Sequence, residues 1–280
     1  MEKKYEIILF GATGFTGQLC AKYFKQNYPD LTWAIAGRDK NKLDDINIKF
    51  NLNVDTLVAD GDNLEALRVM AGQAKVILST AGPFARYSDL LVQACVEQGT
   101  HYTDITGENH WVRTLIDKHH ENASLKGVRI VPSCGYDSIP SDIGTFFAVS
   151  QFNKPVKRVE LFQEMQGGAS GGTIETAFSM GKLSKEMRDP FLLNPENSST
   201  EEQRKYSKDM MRIEKIEELD GWSGMFVMAA GNTRVVRRTA ALMEQNQNSY
   251  GANFTFGEYG LHKTKTVSYT HLTLPTKRGG

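Results

Sequence analysis

Phe10-Gly11-Ala12-Thr13-Gly14-Phe15-Thr16-Gly17-Gln18 is the stretch on which the reading of this chain turns. It follows the run Tyr5–Phe10, apolar except for Glu6, and opens a segment with helical character, expected over Phe15–Gln26. A continuous apolar run that ends at glycine suits a strand buried in a parallel sheet. The three glycines have separate expected tasks. Gly11 permits the tight turn out of the strand, Gly14 lets a ligand approach the backbone, and Gly17 lets the helix pack closely on the sheet. The amides at the helix start, aligned with its dipole, then make an anion site suited to a diphosphate. Thr13, Phe15 and Thr16 are expected to add backbone or hydroxyl contacts. The pattern alone is also compatible with a ligand-free turn, so its context carries the weight.

That context is a run of strand–helix units. Strands are expected at Thr32–Ala36, Val54–Ala59, Val76–Thr80, Tyr102–Ile105 and Val128–Pro132. Helices are expected at Lys40–Phe50, Leu64–Ala71, Ser88–Gln98 and His110–Lys126, the last two closed by Gly99 and Gly127. Alternation at this spacing implies a Rossmann-type doubly wound parallel sheet, assigned to residues 1–138. The second half changes character. Strands are expected at Val156–Gln166, Met225–Ala229 and Ala252–Glu258, and helices at Thr173–Met187 and Thr233–Gln245. Gly167–Gly172 reads as a glycine-rich turn and Asp189–Glu202 as a loop. This pattern suggests a smaller, incomplete α+β substrate domain over residues 139–266. The tail Val267–Gly280 (VSYTHLTLPTKRGG) reads as translated sequencing adapter, so the chain is expected to be truncated.

Lys+Arg and Asp+Glu both number 33, so the balance gives no general attraction to nucleic acid or acidic membranes. Cys20, Cys95 and Cys134 are too few and too scattered for a disulfide framework or a zinc site, and no metal is expected. With a strand starting almost at once there is no room for a signal peptide, and no apolar run could span a bilayer. A cytoplasmic location follows as the expectation, with peripheral membrane association left open.

The end of the second strand bears on the nucleotide. A site for NAD ordinarily places Asp or Glu there, against the ribose 2′-hydroxyl. Here the chain reads Ala36-Gly37-Arg38, and the Arg38 guanidinium can pair with a 2′-phosphate, with Lys42 one turn further on. This favours NADP over NAD, although Asp39 could face the ribose instead. Asp60, ending the third strand, is a contact or a helix cap. Ala81, Gly82 and Pro83, ending the fourth, are expected near the nicotinamide ribose.

Together FGATGFTGQ (Phe10–Gln18), AGR (Ala36–Arg38), GPF (Gly82–Phe84), DITGE (Asp104–Glu108) and GYDSIPSD (Gly135–Asp142) resemble the saccharopine dehydrogenase-like oxidoreductases. SGGTIETA (Ser170–Ala177) and NTRVVRRTAAL (Asn232–Leu242) resemble the trans-acting enoyl reductase branch, which in mycobacteria acts beside polyketide synthases in lipid assembly. The resemblance implies nicotinamide-dependent reduction of a carbon–carbon double bond in a lipid-like acyl substrate. An amino-acid dehydrogenase of the saccharopine type and a non-catalytic NADP-binding interaction protein stay open as alternatives.

Enoyl reduction needs a proton donor and a group that steadies the enolate. The candidates are Tyr136 as donor, Ser138 on the substrate carbonyl and Asp137 orienting them. Ser141 or Asp142 could cap the next helix, and Asp104 and Glu108 could reach the pocket or serve structure. Arg234, Arg237 and Arg238 share one helical face. That face reads as solvated, with the phosphate of coenzyme A or of an acyl carrier's phosphopantetheine as the alternative. The sequence leaves the oligomeric state open.

Overall fold

The computed structural model describes residues 3–164, 188–207 and 213–265. The expected turn Gly167–Gly172, the helix Thr173–Met187 and the tail 267–280 lie outside the described residues. Contacts divide the chain into two units, Met1–Gly135 and Tyr136–Gly280.

The first unit is a six-stranded parallel sheet with helices between its strands. Its strands are β1 Tyr5–Phe10, β2 Trp33–Gly37, β3 Asp55–Val58, β4 Ala74–Ser79, β5 His101–Asp104 and β6 Ile130–Val131. Its helices are α1 Phe15–Asn27, α2 Lys40–Lys49, α3 Leu64–Gly72, α4 Phe84–Tyr87, α5 Asp89–Glu97 and α6 Asn109–Leu125. The strand order is β3-β2-β1-β4-β5-β6. After β3 the chain returns to the far side of β1, so the order reverses between β1 and β4. In such sheets a crevice opens at that point, beyond the carboxyl ends of the strands. Every residue of β2 is buried, as expected for an inner strand covered on both faces. Trp33 and Ile35 pack there with Leu9, Ala21, Leu43, Ile46 and Leu52. Core aliphatics of this size are worth roughly 2–5 kcal/mol each against alanine.

The second unit holds a four-stranded mixed sheet in the order β7-β10-β9-β8. Its strands are β7 Arg158–Gln163, β8 Lys215–Ile216, β9 Gly221–Gly224 and β10 Thr255–His262. β10 pairs parallel with β7 and antiparallel with β9. The helices are α7 Ile139–Ser150, α8 Glu201–Tyr206 and α9 Ala229–Gln245. Val236 of α9 packs with Tyr250, Phe254 and Phe256 to form the core.

Four expectations are corrected in this unit. The strand expected at Met225–Ala229 lies instead at Gly221–Gly224, and α9 begins at Ala229 rather than Thr233. A Cβ on Gly221 would sit 2.7 Å from Leu261 Cδ1, so a larger residue there would make the Leu261 side chain turn aside. Glu201 and Glu202, read as loop, open α8, which Thr200 and Gln203 cap reciprocally. The three arginines of α9 do not form a solvated face. Arg234 and Arg237 are each 4% exposed. Arg234 donates to the Arg188 carbonyl, Arg237 to those of Pro190 and Phe256, and Arg238 to that of Leu193. A segment of turns with no strand partner among the described residues needs donors for its carbonyls, and α9 supplies them.

Candidate functional site

The turn after β1 leaves Phe10 at the reversal point of the sheet. Gly11 takes a positive φ of 84°, and a Cβ there would lie 2.8 Å from the Ala81 amide nitrogen. At Gly17 a Cβ would meet the Gly11 carbonyl at 2.3 Å, so α1 can approach the strand only because this residue is glycine. Gly14 differs. A Cβ there would touch only the Gly11 oxygen, at 3.4 Å, and the space above it is open. Its smallness is therefore not demanded by the protein, which is what a position kept clear for a ligand requires.

Gly14 is also the N-cap of α1, with no side chain capping the helix. At the same sheet edge, Asp39 caps α2 and Asn63 caps α3 through their side chains. Among the described residues nothing accepts a hydrogen bond from the amides of Thr13, Phe15, Thr16 or Gly17. Four donors with a helix dipole behind them suit a diphosphate. Phe15 itself is 80% exposed.

Arg38 follows β2, is exposed, and has no ion pair or hydrogen bond among the described residues. The alternative role of Asp39, facing a ribose, is weakened by its geometry. Its carboxylate accepts the Lys42 amide at 3.2 Å and lies 3.7 Å from Lys42 Nζ. Asp60 is exposed after β3. Its carboxylate accepts the Asp62 amide at 3.2 Å in a local turn, and the helix cap there is Asn63 instead.

The loop after β4 faces the glycine turn across the reversal point. Thr80 donates from Oγ1 to the carbonyls of Phe10 and Gly11, each at 3.2 Å, and so joins this loop to the turn. Ala81 is half-buried, and Gly82 and Pro83 are exposed, with a cis peptide bond between them. The structure thus brings Gly11, Thr13, Gly14, Phe15, Thr16 and Gly17 to one sheet edge with Ala81, Gly82 and Pro83. Arg38 and Asp60 stand at the ends of the next strands outward along that edge. With its uncommitted amides and the clear space over Gly14, this edge fits a dinucleotide.

The saccharopine dehydrogenase NADP binding domain family matches residues 7–131, a range that begins in β1 and ends with β6. Over longer stretches the chain is similar to curated mycobacterial proteins. It is 34% identical over 281 residues to the trans-acting enoyl reductase of Mycobacterium leprae, covering 92% of this chain and 65% of that protein. It is 33% identical over 280 residues to the trans-acting enoyl reductase of Mycobacterium tuberculosis, with the same coverage. The chain thus spans 65% of the length of these relatives. Saccharopine dehydrogenase (L-Glu forming) from Saccharomyces cerevisiae, solved in its apo form, aligns with a TM-score of 0.48 and 14% identity. That alignment covers 57% of this chain and 34% of the yeast one.

Both carboxylates of the DITGE segment accept backbone amides within the first unit. Asp104 is fully buried. It accepts the amides of Thr106 at 3.0 Å and Ser133 at 2.9 Å and the Tyr102 hydroxyl at 2.8 Å. Burial pushes its carboxyl up to about 6, and the Glu108 charge adds to that rise. Glu108 is turned to the amides of Phe84 and Ala85. The motif drew attention to both residues, but nothing local in it shows that they hold loops from other strands.

In the second unit Tyr136 is 81% exposed. Asp137 is half-buried, and burial raises its carboxyl above the usual range. Ser138 is 4% exposed and donates to Asn232 Oδ1 at 3.2 Å, so its hydroxyl belongs to a buried network. In that network Glu258 Oε1 accepts from Ser141 at 2.8 Å, Gln163 at 3.1 Å and Asn232 at 3.2 Å. Ser138, not Ser141 or Asp142, is the N-cap of α7, and it makes no side-chain cap bond. Asp142 instead accepts from Thr239, and burial raises its carboxyl to about 6. The sequence reading missed Asn232 and Glu258, whose partners lie 26 to 117 residues away. Among the described residues no group of three His, Cys, Asp or Glu could hold a metal ion, and no helix is long and apolar enough to cross a membrane.

Proposed function

We propose that this chain is part of an NADPH-dependent oxidoreductase that reduces the carbon–carbon double bond of an enoyl group on a lipid-like acyl substrate. The observation that carries the cofactor half is the contrast at the sheet edge. Arg38 is exposed and has no partner among the described residues, while Asp39 is engaged as a helix cap. An acidic residue against a 2′-hydroxyl would mark NAD, and a free guanidinium suits a 2′-phosphate. The α1 amides would hold the diphosphate, and residues 81–83 would line the nicotinamide side. The substrate half of the proposal rests on the likeness to the trans-acting enoyl reductases.

When bound, NADPH supplies a hydride. The protein's task is then to orient the acyl group and to deliver a proton at its α-carbon. We assign the proton to the Tyr136 hydroxyl, with Asp137 beside it in sequence to orient the ring. Ser138 would act by holding the start of α7 through Asn232 rather than by touching substrate. An acyl carrier as the substrate's bearer, and association with a membrane surface, belong to the same reading. The buried arginines of α9 are committed to backbone carbonyls and take no part in it.

The test is oxidation of NADPH with a trans-2-enoyl thioester, set against reduction of NADP+ with saccharopine, the competing substrate class. Oxidation of NADPH with the thioester, and no reduction of NADP+ with saccharopine, supports the reading. Reduction of NADP+ with saccharopine alone, or tight NADPH binding with no acyl turnover in the full-length protein, would sink it.

A further inference from the structure

We propose that Glu108 is a positioning residue that sets the loop after β4, residues 81–85, for the nicotinamide half of the cofactor. This rests on the reading that NADP lies across the crevice between β1 and β4. Glu108 is 8% exposed. Its Oε1 accepts the Phe84 amide at 2.7 Å and its Oε2 accepts the Ala85 amide at 3.2 Å. These are the first amides of α4, which has no side-chain cap of its own. A carboxylate at a helix start meets both the unsatisfied donors and the dipole.

Glu108 is itself fixed. It is the N-cap residue of α6, and its carbonyl accepts the amides of Trp111 at 2.9 Å and Val112 at 3.1 Å. Its own amide donates to Thr106 Oγ1 at 3.0 Å, and the Thr106 amide donates to Asp104. Trp111 then stacks on Phe84, with centroids 6.3 Å apart and planes at 24°. One residue therefore ties the start of α6 to the start of α4.

At its other end the same loop is tied by Thr80 to the glycine turn. Ala81, Gly82 and Pro83 are suspended between these two anchors, and Gly82 and Pro83 are open to solvent. Loss of one anchor lets the loop populate other conformations, and affinity falls by the fraction that remains competent. Arg38 and the adenosine side lie beyond β1, on strands that Glu108 does not touch. The effect should therefore divide the cofactor into two halves.

The probes are NADPH and adenosine 2′,5′-bisphosphate, the latter carrying the 2′-phosphate but no nicotinamide. Binding of both to full-length protein and to Glu108→Gln is measured by calorimetry. Glutamine keeps one acceptor and turns the other oxygen into a donor facing an amide. We expect NADPH affinity to fall about tenfold and the bisphosphate to stay within about twofold. Equal loss of both ligands, or loss of neither, overturns the proposal. Failure of the unmodified protein to bind either ligand refutes the cofactor reading itself, and this proposal with it. If Glu108→Gln does not fold, amide exchange over residues 82–86 of the unmodified protein decides. Slow exchange that NADPH slows further and the bisphosphate does not is expected. Fast exchange in the free protein, or equal slowing by both ligands, overturns it.

Discussion

Replacing Arg38 with alanine should separate the two nicotinamide cofactors. The guanidinium is exposed after β2 with no partner among the described residues, and Asp39 next to it is held at the start of α2 by the Lys42 amide. Charge-assisted hydrogen bonds to a phosphate contribute about 1.5–3 kcal/mol. Because Arg38 is exposed, water screens part of that, and the lower end of the range applies. A loss of about 1.5 kcal/mol is roughly a tenfold weaker Kd for NADPH. NADH, with no 2′-phosphate, should bind as before. The assay is fluorescence or calorimetric titration of both cofactors against both proteins, at low and high salt. The NADPH difference should shrink as salt rises, since the contact is exposed. Equal weakening of NADPH and NADH would refute the reasoning, as would an unmodified protein that does not distinguish them. Lys42→Ala should have a smaller effect, because its ammonium already faces Asp39.

The glycines give a paired prediction. Gly14→Ala should melt as the unmodified protein does but bind NADPH at least tenfold less tightly, whereas Gly17→Ala should lose stability, by about 1–3 kcal/mol or more, whether or not cofactor is present. Thermal melts with and without NADPH check both. Asp104 has a folded-state value of about 6, above its ordinary one of 3.8, so the native state holds its proton more tightly than the unfolded chain. Its contribution is therefore most favourable with the proton on and is lost as pH rises from about 4 to 6. Asp104→Asn should flatten that dependence in urea unfolding at pH 4.5 and 7, and an unchanged slope would count against the assignment. Tyr136→Phe should leave NADPH binding intact and lower enoyl turnover by roughly a hundredfold. Unaltered turnover would move the proton to another group. Arg237→Met should destabilise the second unit by about 2–4 kcal/mol, because the buried Phe256 carbonyl and the part-buried Pro190 carbonyl lose their donor. Denaturant titration reads it.

The parallel sheet was legible because its evidence is local. Apolar runs such as Tyr5–Phe10 mark strands, Gly99 and Gly127 mark helix ends, and Gly11 and Gly17 sit where a Cβ would clash. What could not be read depends on residues far apart in the chain. Gly221–Gly224 looks like a turn, and it becomes a strand because β10 lies against it with Leu261 where a Cβ would go. The arginines of α9 have the spacing of a surface stripe. They are buried because the carbonyls of residues 188–193 have no strand to pair with. Glu108 stood out as part of a motif, yet its partners are Phe84 and Ala85, more than twenty positions earlier. Ser138 read as a substrate contact because its segment follows the sixth strand at the cofactor edge of the sheet. Asn232, from a helix ninety-four residues on, engages it instead.

A helix that begins on glycine without a side-chain cap presents a small electropositive socket at its first turn. Any compact dianion in the medium can lodge there. Buffers of inorganic phosphate or sulfate should then act as weak competitors at the first turn of α1, raising the apparent Kd for cofactor in proportion to their concentration, while a zwitterionic buffer should not. Titrations made in different media would disagree for that reason alone, and the size of the disagreement would be a direct measure of how strongly this one turn attracts negative charge.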